Sequence, residues 1–207
     1  MTLLSVVKDV CAAVGVNVPT SVFSGIATNR TMQEMLSLAN EMAQRIAYDQ
    51  RDWTVLRNIS LTTIVGGSGM PFFPLPVNYK RMLLTSEVWR SSNTMSPMRF
   101  IPDTNDWLQR RQRPVEGWHS GEWTIIGGDL YITPTIAADE TGWFVYLDKN
   151  CINLGGGGVS DTFQNDNDSF RLDERLLKLG MIMQWKANKG NAYAEDIGAL
   201  HAMNFLP

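Results

Sequence analysis

The residue types that usually carry catalysis or bind metals are sparse in this chain. Its only two histidines are His119 and His201. His119 lies in a WHSGE segment without a second ligand at metal-site spacing, so it is interpreted as a solvated loop residue. His201 falls in the last helical segment and is interpreted as a packing or surface residue. We therefore predict no catalytic residue, no metal site and no cofactor, and expect that the protein is not an enzyme.

Two further segments resemble ligand loops without meeting their requirements. Gly155–Gly158 is not followed by the Gly-Lys-Ser/Thr and the helix of a phosphate loop. The acidic residues Asp161, Asp166 and Asp168 lack the sixth-position glycine and twelfth-position glutamate of a calcium loop. Weak incidental cation binding is the most that they indicate. The segment 155–168 is interpreted as a flexible loop that could contact a partner.

A short basic run, Arg110-Arg111-Gln112-Arg113, admits two interpretations. It could be the solvated end of a helix, where the helix dipole favours cations. It could instead contact an acidic partner surface or a nucleic acid that passes nearby. A run of four residues does not decide between them.

Composition limits the possible partners. Of the 207 residues, 44% are hydrophobic and 19% are charged, and the formal net charge is −3. This charge argues against a protein that grips nucleic acid, although it allows one that lines a DNA passage. Lys8 and Asp9 interrupt the apolar N-terminal stretch, and no window reaches the roughly 18 apolar residues of a membrane span. We expect a soluble protein that is not exported, with Cys11 and Cys151 as reduced, apolar side chains.

Apolar spacing predicts helices at both ends of the chain. The first begins near Thr2 and ends at Gly15, and the second covers 29–50. A third covers 170–189, with Leu172, Leu176, Leu179 and Met183 on its buried face, Asp168 or Ser169 as its cap, and Gly190 in the left-handed conformation after it. A short helix is expected at 103–113, capped by Asp103.

The middle of the chain has the two-residue period of strands. Strands are expected at 59–65, 80–89, 96–101 and 141–148. The clearest hairpin is Glu122–Thr133, where Gly127-Gly128 supply the positive φ angles of a tight turn.

Segregated helices and strands predict an α+β fold. We expect N- and C-terminal helices that form an antiparallel helical bundle with an inserted antiparallel β-rich region. The bundle core would comprise 1–55 and 166–207, and the β-rich insertion would comprise 56–165.

Three landmarks occur in order along the chain. They are the N-terminal LLSVVKDVCAAVGVNVPTSV with MLSLANEMAQRI and RDWTVL, the FFPLPVNYKRM element, and the segment DTFQNDNDSFRLDERLLKLGMIMQWKANKGNAYAEDIG. Together they resemble the head-to-tail adaptor (connector, tail tubular protein A-like) family of tailed bacteriophages, over nearly the whole chain.

The resemblance implies a structural virion protein at the head-tail junction, assembled in the host cytoplasm. Family members form a ring, usually of twelve copies, that docks under the portal protein and receives a downstream tail or nozzle protein. The genome passes through the lumen without sequence-specific binding, and no membrane is involved. The helical core is expected to pack against neighbouring copies, the C-terminal segment to reach the portal, and the β region to meet the next tail component.

For partner contacts we select residues from the basic run, the glycine- and aspartate-rich segment and the chain end: Arg110, Arg111, Arg113, Gly155, Gly156, Asp161, Phe205 and Leu206. The alternative function is a carbohydrate-binding or small hydrolase module that uses Trp118, Trp123 and Trp143 of the β region as sugar platforms. Clustered exposed tryptophans would favour this alternative, and buried ones would not.

Overall fold

The computed structural model of the protein describes residues 1–49, 51–67, 72–83, 86–112, 120–191 and 194–204. Two compact units are present: unit 1 contains Met1–Leu56 and Lys149–Pro207, and unit 2 contains Arg57–Asp148. The helices are α1 Leu3–Val14, α2 Arg30–Tyr48, α3 Thr104–Arg110, α4 Glu174–Asn188 and α5 Ala194–Asn204. The strands are β1 Arg57–Val65, β2 Phe72–Pro74, β3 Tyr79–Met82, β4 Val88–Arg90, β5 Asn93–Phe100, β6 Glu122–Ile126, β7 Asp129–Thr133, β8 Thr141–Asp148, β9 Ile152–Asn153, β10 Val159–Ser160 and β11 Ser169–Phe170.

Capping residues define the two ends of α1 and the start of α2 in unit 1. Thr2 and Ser5 form a capping box at the start of α1, and Gly15 ends this helix with a φ of 73°. The Asn29 side chain accepts a hydrogen bond from the Thr31 N–H and starts α2. Both α1 and α2 pack against α4. Gly180 allows close packing there, since a Cβ atom at this position would lie 2.7 Å from Cε of Met42.

The start and the buried face of α4 differ from the prediction. Asp173, not Asp168 or Ser169, caps the helix, because Ser169 lies in strand β11. Leu176 is buried as expected, but Leu179 and Met183 are only half-buried. The buried positions are Leu176, Leu177, Gly180, Met181, Ile182 and Trp185. This face is wider than one stripe because α1 and α2 both contact α4. Gly190 has a φ of 72°, which confirms its predicted left-handed conformation.

Unit 1 also contains a small sheet that the sequence did not predict. Its three strands are ordered β10-β9-β11, and each is two residues long. Residues 149–165 belong to this unit. Within the segment 155–168, which was interpreted as a flexible loop, Val159–Ser160 form strand β10, and the hydrogen bonds described below fix other positions of the segment.

Unit 2 is a curled, mixed, eight-stranded sheet with the order β1-β8-β4-β5-β6-β7-β2, in which β3 also pairs with β8. The predicted hairpin is confirmed as β6 and β7, with Gly127 and Gly128 at φ of 64° and 93°. Strands β5 and β6 are parallel, and the segment between them contains α3. The inner face carries an apolar core that includes Ile64, Val88, Trp123, Leu130 and Phe144.

The predicted fold class is wrong. The protein is dominated by sheet, with a curled mixed sheet and short helices, and is not a helical bundle with an inserted antiparallel β region. Two features account for the difference. The connection that contains α3 brings the start of β6 beside the last residues of β5, where Glu122 pairs with Arg99, and the two strands are parallel. The short strands β9, β10 and β11 place a second sheet among the helices of unit 1.

Candidate interaction surface

The outer side of unit 2 carries apolar side chains on strand β1. Side chains alternate between the two faces of a strand, and Ser60 and Ile64 are buried on the inner face. Ile59 and Leu61 are 61% and 64% exposed, and Val65, beyond an irregularity in the register, is also exposed. Ile59 lies opposite Val145 of β8, so the apolar character continues onto the neighbouring strand.

Two tryptophans extend this surface across a third strand. Trp143 of β8 lies directly opposite Trp89 of β4, and both side chains are half-buried. Beside them is a groove of about 290 Å³, whose lining also includes Val145, Arg57 and Glu87. We call Ile59, Leu61, Trp89, Trp143 and Val145 the outer apolar face.

The chemistry of this face suits protein binding. Ser86, beside the tryptophans, donates its hydroxyl to the Val145 carbonyl oxygen at 2.7 Å and so ties the segment before β4 to β8. The described lining of the groove contains aromatic and aliphatic side chains together with the serine, one cationic residue and one anionic residue, Arg57 and Glu87. When a partner covers such a surface, the removal of apolar area from water favours binding by about 25 cal/mol per Å².

A buried ion pair fixes the end of β4. The Arg90 guanidinium donates two hydrogen bonds of 2.5 Å to the Glu140 carboxylate and a third, of 3.0 Å, to the Ser120 carbonyl oxygen. Ser92 and the Ala137 N–H also donate to Glu140. Arg90, as the main cause, lowers the pKa of Glu140 to about 2 despite the opposing effect of burial. Trp89 is next to Arg90, so this network also positions the tryptophan pair.

The basic run has different roles at its individual positions. Arg110 forms ion pairs inside unit 2, at 2.8 Å to Asp106 and 3.1 Å to Glu122. Its main function is therefore to hold α3 on β6. Arg111 is exposed at the C-terminal end of α3, whereas Arg113 lies outside the described residues. Of the two arginines that the structure describes, Arg111 is the more exposed to solvent.

Gly155 and Gly156 differ although they are adjacent. A Cβ atom on Gly155 would lie 2.8 Å from Cβ of Asn167, and the Gly155 N–H donates to Asp168. Gly156 has nothing within 4 Å of its hypothetical Cβ atom. Asp161 is exposed, and its carbonyl oxygen accepts a 2.7 Å hydrogen bond from Gln44. Gly156 and the Asp161 side chain are thus accessible, while Gly155 is needed for packing.

Asp168 is a structural centre that the sequence interpretation missed. Its fully buried carboxylate accepts hydrogen bonds from the backbone N–H groups of Gly155, Gln164 and Asn165, at 2.9, 2.6 and 2.7 Å. Its carbonyl oxygen accepts from the Leu3 N–H at the start of α1. The sequence signal is weak: Asp and Asn are frequent in this segment, and such side chains commonly bind nearby backbone N–H groups in turns.

Asp166 has a similar role. Its carboxylate accepts from the N–H groups of Val22 and Phe23, and its carbonyl oxygen accepts from Leu4. The sequence indicated these two aspartates as part of a weak cation site, and Asp168 also as a helix cap, but in the structure they stabilise the backbone at three places in unit 1. Within the described residues, no group of three His, Cys, Asp or Glu side chains is placed to hold a metal ion.

The remaining candidates give little support to a ligand site. Phe205, Leu206 and Trp118 lie outside the described residues. Trp123 is 4% exposed and donates its indole N–H to the Met98 carbonyl oxygen, so it offers no sugar platform. Cys11 and Cys151 are buried free thiols, and burial raises the pKa of Cys151 to about 11. None of the described helices is both long and apolar enough to cross a bilayer.

Comparison with known sequences does not assign the protein to a family. A scan against protein-family models finds no match, and a search of the curated proteins finds no significantly similar sequence.

Proposed function

We propose that this protein is a structural virion protein, a head-to-tail adaptor of a tailed bacteriophage. Its copies form a ring, dodecameric as in the family that it resembles, between the portal and the tail. The packaged genome passes through the lumen, and a downstream tail or nozzle protein binds on the far side. Assembly takes place in the host cytoplasm, and the protein resides at the head-tail junction of the virion.

The observation that carries this proposal is the outer apolar face. Monomeric soluble proteins seldom expose contiguous apolar patches of more than a few hundred Å² unless a partner covers them. Here Ile59 and Leu61 are more than half exposed, and the Trp89–Trp143 pair continues the apolar surface. A protein whose function is assembly needs such a surface.

We assign the outer apolar face to the downstream tail protein. The resemblance implies that the β region meets the next tail component, and the face lies entirely in unit 2. The order of the landmarks in the sequence and the mildly acidic net charge of −3 support the same function, because a lumen that does not attract phosphate would let DNA pass.

The experiment is a mass measurement of the purified protein with and without purified portal rings of the same phage. We expect a complex whose added mass corresponds to a whole number of copies, close to twelve, and a ring under the portal in negative-stain images. Portal rings whose mass and images do not change at micromolar adaptor concentrations would contradict the proposal. A glycan array tests the alternative function in parallel, and we expect no binding.

A further inference from the structure

We draw no further inference here: the strongest candidate, the groove of about 460 Å³ between α2 and α4 beside Trp185 and the Glu34–Lys189 ion pair, carries nothing because nothing in the structure shows what covers it.

Discussion

At the scale of single residues, buried polar side chains in this protein serve the fold. Asp168 is fully buried and accepts three backbone hydrogen bonds with its carboxylate. Glu140, also buried, is paired with Arg90. Hydrogen bonds to charged groups contribute about 1.5–3 kcal/mol each. Removal of either carboxylate is therefore expected to lower the free energy of unfolding.

We predict that Asp168→Asn lowers the free energy of unfolding by about 2 kcal/mol or more. The amide keeps one oxygen but places an NH₂ group against a backbone N–H, and an unsatisfied buried donor costs about 1–3 kcal/mol. Urea denaturation followed by circular dichroism measures the change. The matched control is Asp161→Asn, whose side chain is exposed and should shift stability by less than about 0.5 kcal/mol. Equal stability of the two variants would refute the role assigned to Asp168.

The adjacent glycines provide a second matched pair. Gly155→Ala should destabilise the protein by about 1–3 kcal/mol, because its methyl group would overlap the Asn167 side chain. Gly156→Ala should leave stability unchanged or raise it by a few tenths of a kcal/mol, since it meets no atom and restricts the unfolded chain. Thermal denaturation of both variants distinguishes these outcomes, and a Gly155→Ala variant as stable as the wild type would be inconsistent with the structure.

At the scale of elements, strand β4 is short and depends on side chains to hold its position. It pairs with β5 and β8 over three residues, and the bidentate Arg90–Glu140 ion pair anchors its end. The register between β4 and β5 is irregular between Val88 and Arg90. The ion pair therefore contributes to both the sheet and the placement of Trp89.

The depressed pKa of Glu140 predicts a dependence of stability on pH. A carboxyl whose pKa falls from 4.5 to about 2 on folding stabilises the folded state above pH 4.5, and this contribution is lost as the pH falls towards 2. We expect Glu140→Gln to be less stable than the wild type at pH 7, with the difference shrinking below pH 4.5. Urea denaturation of both proteins from pH 7 to pH 2.5 tests this. A difference that stays constant over that range would show that the pair does not titrate as inferred.

Several elements could be predicted from the sequence because their signals are local. Apolar spacing placed the starts of two helices near Thr2 and Asn29, Asp103 was predicted as the cap of a third, and Gly127-Gly128 marked the hairpin. Other features depend on tertiary contacts. Two-residue strands such as β9 have no periodicity to detect, and the wide buried face of α4 reflects two neighbouring helices.

The candidate surface was predictable only in part. The alternative function grouped Trp123 and Trp143 as sugar platforms, but burial separates Trp123 in the core from the half-buried Trp143 and its partner Trp89. Buried and exposed side chains alternate along β1, with Ser60 and Ile64 inside, but sequence alone does not tell which of the two sets faces the core. For the same reason Ile59 and Leu61 could be assigned to a strand but not to its outer side.

At the scale of the whole molecule, assembly should depend on the outer apolar face and not on apolar exposure in general. Ile59 is 61% exposed on this face, whereas Val77 is 91% exposed in the turn between β2 and β3. Both side chains lie in unit 2 and could accept a charge without disturbing its core. The pair therefore separates a specific contact from a general effect of surface hydrophobicity.

We predict that Ile59→Glu folds and joins the portal ring but binds the downstream tail protein at least tenfold more weakly. A loss of this size corresponds to about 1.4 kcal/mol, which is moderate for placing a charge in an apolar contact. Val77→Glu should bind as the wild type does. Pull-down of the tail protein on portal–adaptor complexes measures both variants. Unimpaired binding by Ile59→Glu would show that this face does not bind the downstream tail protein. Ring formation would still be tested separately, by the mass measurement with portal rings.

The hydrogen bonds from Leu3 and Leu4 to Asp168 and Asp166 have a consequence for biosynthesis. The first two helices cannot complete their packing until the ribosome has made the segment around residues 165–185. At about 5–20 residues per second, the wait after residue 56 is roughly 5–25 s. Unit 2, residues 57–148, is translated during that interval. Nascent chains should therefore expose the apolar sides of α1 and α2 to chaperones, and slowing translation after residue 148 should lengthen that exposure.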